Sequence, residues 1–277
     1  MGQSPKVFPF VKKSAKLLHF GGGYGIIIGV VVIDEKSNGM RFNMKQARKR
    51  LFAPVVEYYR DLRPSTLREK RYRHIFLLLY WAVYGLMFLG VERIFPLFFD
   101  IHYTAVWCPL DEFIPFCEWF VFPYYFWFVF LILPGIIWFF WEPDVFAHFM
   151  WSVIITYTVG VIIFLVFPNK QELRPVAFPR DNFMVDIVRR LYNFDTNTNV
   201  CPSIHVLGAF AVQFAAMKSR IFRGWKWQTA FWISTVLISS STVFLRQHSI
   251  IDIFAALAIA ALAYLLQFIL YPRLRKT

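Results

Sequence analysis

The chain has 277 residues, of which 58% are hydrophobic, 20% aromatic and only 17% charged. Soluble domains hold ~45–50% apolar residues, so a globule of this length has no interior able to hide that surface. The same figures exclude a disordered chain, and three cysteines exclude a disulfide scaffold, which leaves a polytopic membrane protein. The net charge of +13 is unevenly placed, because residues 1–73 carry 16 of the 30 Lys and Arg. A negatively charged membrane face accounts for that better than nucleic acid, which so apolar a chain is not expected to bind.

In chain order, the first apolar run is 17–33, LLHFGGGYGIIIGVVVI, of minimal spanning length and interrupted by His19 and five glycines. Glycine costs helix stability, so this run is expected to be interfacial or partly buried. Residues 41–73 follow, with eleven Lys/Arg against Glu57, Asp61 and Glu69. Phe42, Met44, Leu51, Phe52, Val55, Val56 and Tyr59 recur there at helical spacing, which suggests an amphipathic helix on the inner leaflet or a plain topology-fixing basic stretch.

A hydrocarbon core of about 30 Å needs roughly 20 apolar residues per helix. That ruler gives six spans, at 74–91, 119–140, 146–167, 203–217, 228–245 and 249–271, the fourth being short. The expected fold is all-α: a basic N-terminal cytoplasmic or interfacial region, 1–73, then a six-helix membrane domain, 74–277. Residues 41–73, the connection 218–227 (Lys218, Arg220, Arg223, Lys226) and the tail (Arg273, Arg275, Lys276) then share one side. The positive-inside rule makes that side cytoplasmic, with both termini inside the cell membrane. The opposite side receives 92–118, which holds Glu92, Asp100, Asp111, Glu112 and Glu118 against Arg93 alone.

Polar groups in or beside spans are expensive, so each is a functional candidate. Three segments collect on the outer side: VFPNKQELRP at 166–175, NVCPSIH at 199–205 and STVFLRQHSIID at 241–252. Pro202 and Ser203 suit a helix start, and the amides and dipole of a helix N-terminus attract phosphate. His205 falls in the first turn of that helix. His248 and Asp252 are four apart, so on a helix they share a face, and a carboxylate beside an imidazole fixes its tautomer. Lys170, Arg174 and Arg246 offer cationic donors suited to phosphate oxygens. Two histidines, one with a carboxylate partner, together with cations at a helix N-terminus describe phosphohistidine catalysis: one His attacks phosphorus and the other protonates the leaving oxygen.

These three segments resemble the signature motifs of the type 2 phosphatidic acid phosphatase superfamily, integral-membrane lipid phosphate phosphatases with a six-helix core. The first motif is matched by Lys170 and Arg174-Pro175 with a shortened gap, and the second outright by Pro202-Ser203-Ile204-His205. The third is matched at Ser241, His248 and Asp252, but Thr242 stands where the family has Arg. The resemblance implies His248 as nucleophile, Asp252 as its orienter and His205 as general acid. It also implies phosphate contacts from Lys170, Arg174 and Ser203, with Arg246 a candidate for the missing Arg. Superfamily members lacking that Arg include headgroup transferases such as the sphingomyelin and inositol phosphorylceramide synthases.

The reading is therefore a metal-independent, cofactor-free phosphatase taking a lipid phosphate from the outer leaflet. Transfer to a lipid or glycosyl hydroxyl is the rival activity, and a non-catalytic lipid binder or transporter the rival class. Cys108, Cys117 and the carboxylates between them lack a histidine pair for a metal site and are expected to form a lid or re-entrant turn over the outer site. Asp195 and Asn199 could shape the pocket mouth or cap a loop.

Overall fold

The computed structural model describes residues 44–270, with side chains from 51 to 267. The apolar run 17–33 and the basic tail lie outside the described residues. The chain divides between Arg60 and Asp61 into two units. In the first, α1 (Met44–Tyr59) forms a helix within the basic stretch, with Pro54 inside it.

The second unit is a helical bundle. Its first helix runs unbroken from Lys70 to Phe98, changing pitch on the way. A 3₁₀ stretch (Lys70–Leu78) leads into α2 (Leu79–Leu89), a π-turn (Gly90–Ile94) and α3 (Phe95–Phe98). A loop with β1 (Thr104–Ala105) and the short α4 (Leu110–Phe113) leads to α5 (Val121–Trp141) and α6 (Pro143–Val166). Beyond them lie β2 (Asn169–Lys170) and α7 (Phe183–Phe194), and then α8 (Ile204–Ala216), α9 (Trp225–Phe244) and α10 (Ile250–Tyr264).

A helix occupies each of the six expected spans. Among the described residues four segments are long and apolar enough to cross a membrane: Lys70–Phe98, Glu118–Trp141, Pro143–Val166 and Ile250–Gln267. The other two fall short for different reasons. The 13 residues of α8 reach only about 20 Å at 1.5 Å per residue. Helix α9 has the length, at 20 residues, but Lys226, Gln228 and the run Ser239–Ser240–Ser241–Thr242 dilute its apolarity.

Helix α8 is the axis of the bundle, packed against α5, α6, α9 and α10. Gly208, Ala209, Ala211, Ala215 and Ala216 are buried along it. Without a hydrophobic drive between helices in lipid, such small residues permit the close approach on which packing depends. At one end, Trp138, Phe149, Phe222 and Phe231 fill the core, and Glu142 closes the 217–224 turn by accepting from Ser219 Oγ (2.5 Å) and Arg220 N (2.7 Å). The outward faces stay apolar, as with Phe122, Phe126, Ile132 and Leu133 of α5 and Ile162 and Leu165 of α6. An apolar face this extensive suits a lipid surround rather than water.

At the other end the long loops meet. β1 and β2 pair in parallel, with Thr104 opposite Asn169 and Ala105 opposite Lys170. Cys117 N donates to Phe244 O at 3.0 Å, and Tyr192 of α7 donates through its hydroxyl to Leu245 O at 2.6 Å. This end holds all seven candidate site residues.

Candidate active site

The third motif is built by a turn and a cap. Arg246 takes a left-handed conformation (φ 52°) that ends α9. Such a backbone costs a side-chain-bearing residue roughly 1–2 kcal/mol. The Thr242 carbonyl holds the turn, accepting from Gln247 N (3.0 Å) and His248 N (3.1 Å). Ser249 then caps α10 reciprocally: Ile251 N donates to Ser249 Oγ at 3.2 Å, while Ser249 N donates to Asp252 Oδ2 at 3.0 Å.

That cap makes the His–Asp pair. His248 lies before the helix, not on its face, yet its Nδ1 is 3.1 Å from Asp252 Oδ2. The spacing of four therefore works through the capping box, which folds the Asp252 side chain back over the helix start. Both residues are buried, at 8% and 0% exposure.

The second motif is organised by Asn169. Its Oδ1 accepts from Val200 N and Cys201 N (both 2.8 Å), and its Nδ2 donates to Cys201 O (3.0 Å). The Cys201–Pro202 peptide is cis, and Ser203 N donates to Asp252 O at 3.3 Å, joining the second motif to the third. Ser203 precedes α8 with its hydroxyl fully buried and without a hydrogen-bond partner among the described residues. In the first turn of α8, the His205 ring packs on Tyr124 (4.2 Å between centroids) and Trp127 (4.5 Å). It faces His248 at 6.3 Å.

Both histidines line one pocket of about 60 Å³, with Phe88, Asp195, Thr196, Thr198, Asn199, Val200, Ile204 and Gln247. The other five candidates surround it without lining it. Lys170 is paired with Glu172 at 2.5 Å. The half-buried Arg174 donates to Gln247 Oε1 (2.6 and 3.0 Å) and to the carbonyls of Tyr192, Asp195 and Thr196. Burial pulls its guanidinium below the usual value, with Asp195 opposing. Arg246 turns to the 108–117 loop, donating to Asp111 O at 2.8 Å and to Ile114 O. Thr242 is fully buried, its hydroxyl donating back to Ser239 O at 2.7 Å.

Several residues that matter here escaped the sequence reading. Glu92, in the π-turn of the first helix, accepts from Thr196 Oγ1 (2.6 Å), Thr198 Oγ1 (3.1 Å) and Asn199 Nδ2 (2.6 Å), and so holds one wall of the pocket. An acid within an apolar helix is a readable signal, although the linear pattern assigns Glu92 to the outer loop. Gln247 joins Arg174 to Asp195, whose Oδ2 also accepts from Tyr124 Oη at 2.9 Å. Nothing in the linear pattern marks Gln247, Asn169, Tyr124 or Trp127. Cys201, beside Asp252, has its thiol pushed up to about 12 by burial and by that carboxylate. Comparison of the chain with protein-family models, with curated proteins and with solved structures finds no match.

Proposed function

We propose that the chain is an integral-membrane lipid phosphate phosphatase, similar to the type 2 phosphatidic acid phosphatases, that works through a phosphohistidine on His248. The observation that carries this reading is two imidazoles facing one pocket, of which His248 is tied through Nδ1 to a buried carboxylate. A proton on Nδ1, donated to Asp252, leaves the lone pair on Nε2. Nε2 attacks phosphorus, the P–O bond to the lipid breaks, and His205 gives its proton to the departing alkoxide. Water then attacks phosphorus while yielding a proton to His205, the P–Nε2 bond breaks, and inorganic phosphate leaves with His248 restored. The first-turn amides of α8, whose Ile204 and His205 line the pocket, supply phosphate donors. The substrate is a phosphomonoester or pyrophosphate lipid. In this reading α8 and α9 cross with the other four, which puts both termini in the cytoplasm and the pocket outside, an orientation the Lys/Arg asymmetry supports.

A second reading, headgroup transfer, has its own observation. Thr242 replaces a guanidinium, and Lys170, Arg174 and Arg246 all engage protein acceptors. A phosphodiester with fewer free oxygens tolerates that poverty of free cations better than a dianionic phosphate does. The test incubates the purified full-length protein with a panel of lipid phosphates in EDTA, following free phosphate and new lipids together. Free phosphate is expected, and is lost in a folded His248→Ala variant. Labelled headgroup on an acceptor lipid, without free phosphate, replaces hydrolysis by transfer. Wild-type turnover by His248→Ala overturns both.

A further inference from the structure

The carboxylate of Asp111 is 1% exposed and far in sequence from every motif, yet it sits against the start of α10. Three donors converge on it. Ser249 Oγ reaches Oδ2 at 2.6 Å, Ile250 N reaches Oδ1 at 2.8 Å, and Cys108 N reaches Oδ2 at 2.8 Å. The same loop is bound on the other side of His248: Arg246 donates to the carbonyls of Asp111 and Ile114, and Cys117 N donates to Phe244 O. Residues 108–117 thus form a strap fastened to 244–246 and to 249–250, with His248 between the fastenings.

We infer that this strap is a positioning device for His248, with Asp111 its principal residue and Arg246 its anchor rather than a phosphate ligand. The inference rests on the phosphohistidine reading and names what that reading leaves open. The linkage runs through Ser249. Its hydroxyl donates to Asp111, and its backbone N–H donates to the Asp252 oxygen that holds His248 Nδ1. A carboxylate at position 111 accepts from all three donors, whereas an amide would turn an NH₂ toward at least one of them. Ser249 would then shift, and with it the Asp252 oxygen that fixes the imidazole tautomer. Arg246 meets its acceptors from the left-handed turn, so the strap is also tied to the backbone that carries His248. Partners that orient metal-ligating histidines typically contribute roughly 10–100-fold to activity, and the same scale is expected for a histidine held for attack on phosphorus.

The test uses the full-length protein with ¹⁵N-labelled histidine, taking the His248 resonances as those lost in His248→Ala. Wild type is expected to show His248 protonated at Nδ1, and Asp111→Asn a mixture of tautomers. In turnover, Asp111→Asn and Arg246→Ala should each lower kcat roughly 10–100-fold while leaving KM and inhibition by inorganic phosphate unchanged. Ser249→Ala cuts the same link from its other end, so the double variant Asp111→Asn/Ser249→Ala should fall no further than the weaker single variant. A wild-type tautomer in both Asp111→Asn and Ser249→Ala overturns the inference. So does an Arg246→Ala whose whole loss lies in phosphate binding. Activity retained by His248→Ala would sink the phosphohistidine reading instead, and the tautomer measurement would still decide whether the strap holds the ring.

Discussion

Gly208 lies three residues after His205 on the central helix, and its missing side chain is expected to be essential. A Cβ built on it would stand 2.5 Å from Tyr157 Oη, 2.8 Å from Trp127 Nε1 and 3.1 Å from Trp127 Cζ2. Ordinary contact begins near 3.4 Å, so Tyr157 would have to retreat by about 0.9 Å and Trp127 by about 0.6 Å. Neither can do so freely, with Tyr157 1% and Trp127 8% exposed among other aromatic rings. Overpacking of this kind costs about 1–3 kcal/mol. Trp127 also carries the His205 ring, and since a misplacement of about 1 Å costs about 100-fold, this smaller shift should lower kcat on the order of 10-fold. Gly208→Ala is therefore expected to lose both thermal stability in detergent and initial rate on a lipid phosphate. Adding Tyr157→Phe removes the nearest clashing atom and should recover part of the stability. Gly160→Ala is the control: its Cβ would meet the aliphatic tip of Ile204 at 3.2 Å, which can rotate away. A Gly208→Ala protein as stable and active as wild type would refute the argument that Trp127 sets His205 through close packing.

Glu92→Ala leaves the buried Asn199 amide without its acceptor, so it should lower the unfolding midpoint by the equivalent of about 1–3 kcal/mol and raise KM as the pocket wall loosens. Glu92→Gln, which keeps one acceptor oxygen, should fall between. Cys201, its thiol held up to about 12, stays protonated at ordinary pH. Its alkylation by a maleimide should be slow at neutral pH and accelerate only as the medium becomes strongly alkaline, in a background lacking Cys108 and Cys117. Orientation is better read at exposed positions: in single-cysteine proteins, Val176→Cys should react with an impermeant thiol reagent on intact cells and Arg223→Cys should not. The opposite pattern would invert the bundle.

The helical bundle was written in composition and periodicity. Apolar runs of about twenty residues admit few structures other than helices when the surround is lipid, because each backbone polar group must be satisfied within its own segment. All six candidate spans are helices, but length and apolarity separate four from α8, already short in the sequence, and from α9, whose polar residues a count of length passes over. The local chemistry was equally readable at short range. Pro202 and Ser203 do precede a helix, and His248 and Asp252 do meet, four residues apart. The manner of their meeting was not readable, since it depends on Ser249 capping α10 and not on a helical face.

Longer-range choices were settled by packing. Three cations looked interchangeable as phosphate ligands, yet Arg174 is held by Gln247 and three carbonyls, Lys170 by Glu172 and Arg246 by the 108–117 strap. A sequence states that a guanidinium exists, but its partners are whatever acceptors the fold carries within about 3 Å. Glu92, Asp111 and Asn169 likewise belong to a π-turn, a one-turn helix and a two-residue strand, and each becomes a hub only because distant backbone and side-chain donors converge on it. Convergence of that sort has no period and no spacing along the chain; it is a property of how the loops cross at one end of the bundle.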